Sequence, residues 1–136
     1  MKTSLILNNL FNMAKEQHNL AWKKHTANGR KGVEIFFLYD ARNKNNEGPA
    51  AALLRYKPKA RVVRHVHLGY ELIFVLQGVL QNDSGSHPAG TLEICPPGST
   101  HELWSDEGCV FLVVWEQPVK TENIGEWVAK MSTIEE

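Results

Sequence analysis

The stretch His65-Val66-His67-Leu68-Gly69-Tyr70-Glu71, together with His101 downstream of Pro96-Pro97-Gly98, offers three imidazoles and one carboxylate, residue types that hold a divalent metal. Side chains two apart on a strand project to one face, so His65 and His67 point together and Val66 points away. Gly69 lets the chain turn, after which Glu71 opens the next strand within reach of the same point. His101 follows a Pro-Gly turn and supplies the third imidazole. A single His-x-His pair recurs by chance on many strands, whereas the added glutamate and distant histidine narrow the reading. The bland alternative is a set of core and surface histidines beside a chance glutamate. Burying several imidazoles and a carboxylate without a shared ion would carry a heavy desolvation cost. Such a donor set suits one Fe, Zn, Mn, Ni or Co ion per chain without choosing among them. An octahedral ion would keep two adjacent positions, for a substrate oxygen pair or for one substrate oxygen plus dioxygen. A four-coordinate zinc would have a full shell or a displaceable Glu71, and would suit a structural or sensing role. Either centre is net positive and favours enolates and other oxyanions as ligands.

The elements that must position these groups read as all-β. Short apolar or alternating runs at 33–39, 50–56, 61–67, 71–77, 79–82, 91–95, 101–105 and 109–116 are separated by turn residues, among them Lys57-Pro58, Asp83-Ser84-Gly85 and Asp106-Glu107-Gly108. The run 71–77 is almost continuously apolar, which predicts a strand covered on both faces. About eight such strands in a row predict a closed barrel or jelly roll, which removes most exposed sheet edges. Alternation from His101 puts Leu103 and Ser105 inward and Trp104 outward, so Ser105 is a candidate pocket hydroxyl and Tyr70 a second candidate for the pocket wall. Trp104 and Trp115 read as barrel packing. Cys95 and Cys109 read as small buried hydrophobes.

Both ends carry helical periodicity. Leu7, Leu10, Phe11 and Ala14 predict a short helix within residues 5–14, or an arm crossing to a partner subunit. Trp127, Val128, Met131 and Ile134 predict a short C-terminal helix packed on the barrel or on a partner. The expected organisation is an N-terminal extension at 1–30, a barrel at 31–119 and a C-terminal tail at 120–136. His18, His25 and His87 read as solvated surface histidines.

With 136 residues and formal net charge +0, the chain has the size of one domain and no global field to draw it to nucleic acid or an anionic membrane. Small molecules or other proteins are the expected partners. Two cysteines make no disulfide framework, and the apolar run after Lys2 is interrupted by Asn8, Asn9 and Asn12 before it reaches the length of a signal-peptide core. No later stretch could span a bilayer, so a soluble cytoplasmic protein is expected.

The spaced residues His65, His67, Glu71 and Gly78, followed by Gly90, Pro96, Gly98 and His101, resemble the two motifs of the cupin superfamily, G-x5-H-x-H-x3-E-x6-G and G-x5-P-x-G-x2-H-x3-N. Two positions depart from the pattern: Lys59 stands where the first Gly is usual, and Ser105 where the final Asn is usual. The resemblance covers roughly residues 33–119 and implies a small jelly-roll barrel with His65, His67, Glu71 and His101 facing inward on a metal. The order of Trp22, Gly32-Val33-Glu34 and 52–58 ahead of these motifs is similar to ChrR-type cupins. That subgroup includes the C-terminal domain of anti-sigma factors and stand-alone cupins resembling dioxygenases of diketones or hydroxylated aryl ketones. Its anti-sigma members carry a further N-terminal zinc-binding domain, and the first thirty residues here contain no Cys, so anti-sigma activity is not carried over. What the resemblance implies is a stand-alone metal-binding cupin, with a metal-dependent dioxygenase as the enzyme version and a zinc-loaded sensor as the non-catalytic one. A sugar isomerase or epimerase would require an acid–base pair beyond the ligands, and none is evident. Cupins commonly pair their barrels, so a homodimer is expected.

Overall fold

The computed structural model describes residues 3–121 and 134–135. A six-residue helix α1 (Leu10–Lys15) and a 3-10 turn (Gln17–Asn19) precede ten strands: β1 (Lys23–Lys24), β2 (Arg30–Asp40), β3 (Ala50–His67), β4 (Glu71–Asn82), β5 (Gly85–Pro88), β6 (Leu92–Cys95), β7 (Thr100–Ser105), β8 (Cys109–Trp115), β9 (Val119–Thr121) and β10 (Ile134–Glu135). All the strand pairings are antiparallel and belong to one continuous sheet that curls into a small barrel.

Strand β3 is the spine. It runs beside β2 on one side; on the other it pairs first with β8, from Ala50↔Trp115 to Tyr56↔Cys109, and then with β7, from Ala60↔Ser105 to Val66↔Thr100. The pairing passes from β8 to β7 across Lys57-Pro58-Lys59, where turn residues predict a break and the strand instead continues. None of these three residues has a ladder partner in the registers of β2, β7 or β8, so the missing N–H of Pro58 leaves no ladder bond unmade. Lys59 makes the bend with φ 72°, a conformation that costs glycine nothing. Strand β4 is continuous in the same way through Gly78, where two strands are expected.

Alternation divides the buried residues between two cores. Leu54, Tyr56, Ile73, Val75, Phe111 and Val113 face the barrel interior, with Tyr56 and Phe111 in edge-to-face contact at 5.1 Å. Leu53, Leu76 and Val110 face outward and are covered by Ala14 with Leu10, Leu20 and Trp22. The N-terminal segment is thus the lid of the outer core, and Phe11 reaches Phe74 with ring centroids 5.9 Å apart. This explains half of the apolar run in β4: Phe74 is covered, while Leu72 remains exposed beside Ile94.

Two other expectations change, and a third falls mostly outside the described residues. The N-terminal helix starts only at Leu10, because Asn9 takes a left-handed conformation (φ 56°), and Leu5 and Ile6 are exposed. His25 is not a solvated histidine: burial, helped by the charges of Arg30 and Arg42, pushes its pKa down to about 3. Trp127, Val128 and Met131 of the expected C-terminal helix lie outside the described residues, and Ile134 pairs with Lys120 in a short strand.

Gly78 is the turn on which β4 depends. Its φ is +77°, and a Cβ there would meet the Gly108 carbonyl oxygen and lie 2.8 Å from Cys109 Cα, backbone that cannot swing aside. Gly78→Ala is therefore expected to destabilise the fold by about 3 kcal/mol, roughly 10 °C in melting temperature, from left-handed strain plus overpacking. Gly85→Ala, where φ is also positive and nothing lies within 4 Å, isolates the strain alone and is expected to cost less. Equal losses in thermal denaturation of the two variants would contradict this account.

Candidate metal centre

His65 and His67 lie two apart on β3 and both face the interior. His101 is the direct cross-strand partner of His65 on β7, so the third ring is delivered by ladder register. Glu71 opens β4, and its start is fixed by a reciprocal clasp: Tyr70 N–H donates to Glu116 Oε1 at 2.9 Å and Glu116 N–H to the Tyr70 carbonyl at 3.0 Å. The four side chains are buried, none more than 5% exposed. His101 Nε2 lies 3.0 Å from His65 Nε2 and 3.2 Å from His67 Nε2; Glu71 Oε2 lies 3.4 Å from His67 Nε2 and 3.9 Å from His101 Nε2.

The opposite ring nitrogens decide what these short distances mean. His65 Nδ1 faces the Val63 carbonyl at 3.1 Å, His67 Nδ1 the Ser99 carbonyl at 2.9 Å, and His101 Nδ1 the Glu93 carboxylate at 3.2 Å. Each acceptor requires the proton on Nδ1, which leaves every Nε2 of a neutral ring with a lone pair. Lone pairs cannot hydrogen-bond to one another. Three of them and a carboxylate oxygen converging in a buried space form an arrangement that a cation stabilises, and the second acceptor at each ring is the usual partner of a metal-binding histidine. His65, His67, Glu71 and His101 thus fit a divalent ion by geometry and by donor chemistry.

Charge reinforces the point at His65 and sets His67 apart. Burial pushes the pKa of His65 well below the ordinary range, with the neighbouring His101 and His67 adding to it, so this ring is neutral. At His67 burial opposes protonation as well, yet the contact with Glu71 outweighs it and raises the pKa. Glu93 is likewise buried against ionisation, and His101 holds its carboxyl below the usual range.

Neither sequence candidate for the pocket wall lies on it. Tyr70 is 49% exposed and points away from the interior. Ser105 is fully buried, but its hydroxyl donates to the Val79 carbonyl at 2.7 Å and accepts from Gly108 N–H at 2.9 Å. It ties the β7–β8 turn to β4. The cavity beside the centre, about 30 Å³, is lined by His65 and Glu71, by apolar side chains such as Leu54, Phe111 and Trp115, and by Tyr56 and Arg30. Burial holds the Tyr56 hydroxyl protonated, far above its ordinary pKa, with Cys109 next in effect. The thiols of Cys95 and Cys109 are also held protonated by burial, that of Cys109 with a pKa pushed up to about 12.

Sequence reasoning missed Tyr56, Arg30 and Glu93. Tyr56 and Arg30 carry no spacing signal. Glu93 did: it lies two before Cys95 on a strand, hence on the same inward face, and a charge on an inward face asks for a partner.

The ChrR cupin-like domain family matches residues 12–120 of the chain. Among solved structures, an acetylacetone dioxygenase from Acinetobacter johnsonii is similar with TM-score 0.69 and 11% identity, over 91% of this chain and 80% of that one. The polyketide cyclase RemF from Streptomyces resistomycificus matches with TM-score 0.68 and 19% identity, over 93% and 89%. A chain in the crystal structure of Rhodobacter sphaeroides SigE in complex with the anti-sigma ChrR matches with TM-score 0.60 and 19% identity, over 85% and 71%. At such identities the likeness is one of fold. No curated protein matches. With the family match spanning most of its length, a barrel of the kind these structures share and four inward-facing donors, the chain belongs to the ChrR cupin-like domain family.

Proposed function

We propose that this chain is a metal-binding cupin that acts as an iron-dependent dioxygenase on a small oxygenated organic molecule. The observation that carries the reading is the convergence of three buried Nε2 lone pairs and Glu71 Oε2 on one point. Bound there, iron would supply Lewis acidity toward a substrate oxygen and one-electron chemistry toward dioxygen. The chain's own residues would do the rest. Apolar side chains around the cavity exclude water, Arg30 places positive charge on its wall where an enolate or carboxylate is favoured, and the protonated Tyr56 can donate a hydrogen bond to a substrate oxygen. The fold likeness to an acetylacetone dioxygenase supports this reaction class. Apart from the proposed ligands, the lining holds no histidine or lysine, so an isomerase acid–base pair has no support.

The alternative is a zinc-loaded sensor, and the cavity volume favours it. About 30 Å³ holds one or two water-sized molecules and not a diketone. A dioxygenase must therefore open this wall to admit substrate, whereas a sensor of a very small ligand need not. We further propose a cytoplasmic homodimer, paired through exposed apolar side chains such as Leu72, Leu92 and Ile94. Among the described residues no helix is long and apolar enough to cross a membrane.

His67→Ala is expected to lower metal content and melting temperature together, because an ion that binds the native state stabilises it by mass action. Glu71→Gln is expected to cost less affinity than loss of a histidine. Unchanged metal stoichiometry in His67→Ala, measured by elemental analysis, would remove the four-donor assignment. Loaded anaerobically with Fe(II), the wild type is expected to consume dioxygen in the presence of a β-diketone or hydroxylated aryl ketone, and His101→Ala is expected not to. Stoichiometric zinc in the purified protein with no uptake by the iron form would turn the reading to the sensor.

A further inference from the structure

Behind His101 the structure continues as a chain of hydrogen bonds that ends at the surface. The Nδ1–H of His101 faces Glu93 Oε2 at 3.2 Å, and Glu93 Oε1 accepts from Asn82 Nδ2 at 3.1 Å. On the other side of the amide, Asn82 Oδ1 accepts the backbone N–H of Ser84 at 2.8 Å and lies 2.9 Å from His87 Nε2. His87, expected to be solvated, is half-buried, and Asn82 is buried.

The assignment of donors and acceptors along this chain has one solution. A backbone N–H only donates, so the atom of Asn82 facing Ser84 is the oxygen and the atom facing Glu93 is the NH2 group. His87 Nε2 must then carry a proton, and Glu93 must accept at both oxygens, from Asn82 at one and from His101 at the other. The ring of His101 is thereby fixed with its proton on Nδ1 and its Nε2 lone pair toward His65 and His67. A carboxylate is needed in the middle. A glutamine there could accept from His101 only by turning its own NH2 group toward that of Asn82.

Resting on the metal reading of the same site, we propose that Glu93, Asn82 and His87 form a brace that positions His101 as a ligand, so that metal affinity is set in part from the β4–β5 hairpin. Asn82 closes β4, Glu93 lies on β6 and His87 on β5, while none of the three belongs to the inner donor set. A rival geometry is present: Glu93, Cys95 and His101 could themselves enclose an ion.

Cobalt(II) tests the brace, because its affinity and its visible bands both report the ligand field. Metal-free full-length protein is titrated with Co(II) against a chromophoric chelator, and the melting temperatures of the metal-free and loaded forms are recorded. Glu93→Gln is expected to weaken Co(II) binding roughly 10–100-fold and to shift the visible bands, with the loss of melting temperature confined mainly to the loaded form. Combining it with Asn82→Asp restores an acceptor opposite the new amide, and is expected to return the bands toward those of the wild type. His87→Ala, on the half-exposed end of the chain, is expected to weaken binding in the same direction by a smaller factor.

Wild-type affinity and bands in Glu93→Gln would overturn the brace while leaving the metal centre standing. A wild type that binds no Co(II) would overturn both. A double variant no better than Glu93→Gln would remove Asn82 from the brace, and unchanged affinity in His87→Ala would remove His87. A sulfur-to-cobalt charge-transfer band that disappears in Cys95→Ser would make Glu93 a ligand beside Cys95, which overturns the positioning role.

Discussion

The constraint on which the structure depends is the crowding of unshared electron pairs at the centre of the barrel. Each imidazole has its Nδ1 committed to an acceptor, so three Nε2 atoms and a carboxylate oxygen meet within 3.9 Å of a neighbour in a space almost closed to water. In solution these groups would turn away from one another. Here the backbone forbids it: two rings share one strand, the third is register-paired across a ladder, and the carboxylate opens a strand held by a clasp at its first peptide. The barrel keeps in place an arrangement that a bound cation completes.

The second layer explains how the rings keep their orientation. The turn at Pro96–Ser99 closes on His67 through backbone and ring: Gly98 N–H donates to the His67 carbonyl at 2.8 Å, His67 N–H donates to the Ser99 carbonyl at 2.9 Å, and the ring Nδ1 lies 2.9 Å from both that carbonyl and Ser99 Oγ. Ser99 Oγ, donating to the Pro96 carbonyl at 2.6 Å, holds the turn itself. The Pro-Gly turn therefore both leads the chain into β7 and locks a ring on β3. At the opposite end of the barrel Ser105 plays the corresponding part for the β7–β8 turn, which is why an inward-facing hydroxyl there contributes nothing to the cavity wall.

Much of this was legible in the sequence because two signals are local. Period-two alternation and turn residues marked most of the strands, and the spacing of His65, His67, Glu71 and His101 marked the donors. What stayed hidden depends on tertiary context. The break expected at Lys57-Pro58 is a bulge, since a proline harms a strand only where a ladder bond is owed, and pairing partners are not written in the strand itself. On β6 the usual alternation is inverted: Leu92 and Ile94 face outward while Glu93 and Cys95 face inward. An apolar-inward rule fails there because the inward position is dictated by the ring of His101. The N-terminal segment reads as a helix or an arm, and its actual use as cover for the outer core follows from the apolar backs of β3, β4 and β8, which residues 5–14 alone do not reveal.

The order of the donors along the chain has a consequence for folding. His65, His67 and Glu71 lie within seven residues, and His101 comes 30 positions after Glu71. An unfolded chain thus retains a three-donor fragment at high local concentration, able to hold an ion before any strand has paired. Native stabilisation by the metal is the difference between the two states, so a resident ion deepens the folded basin by less than its full affinity. An ion captured early has only one further donor to recruit, across a loop whose closure entropy grows slowly with length. The distant histidine is therefore the donor that would couple a bound ion to the fold, and the nearby three would chiefly couple it to the chain.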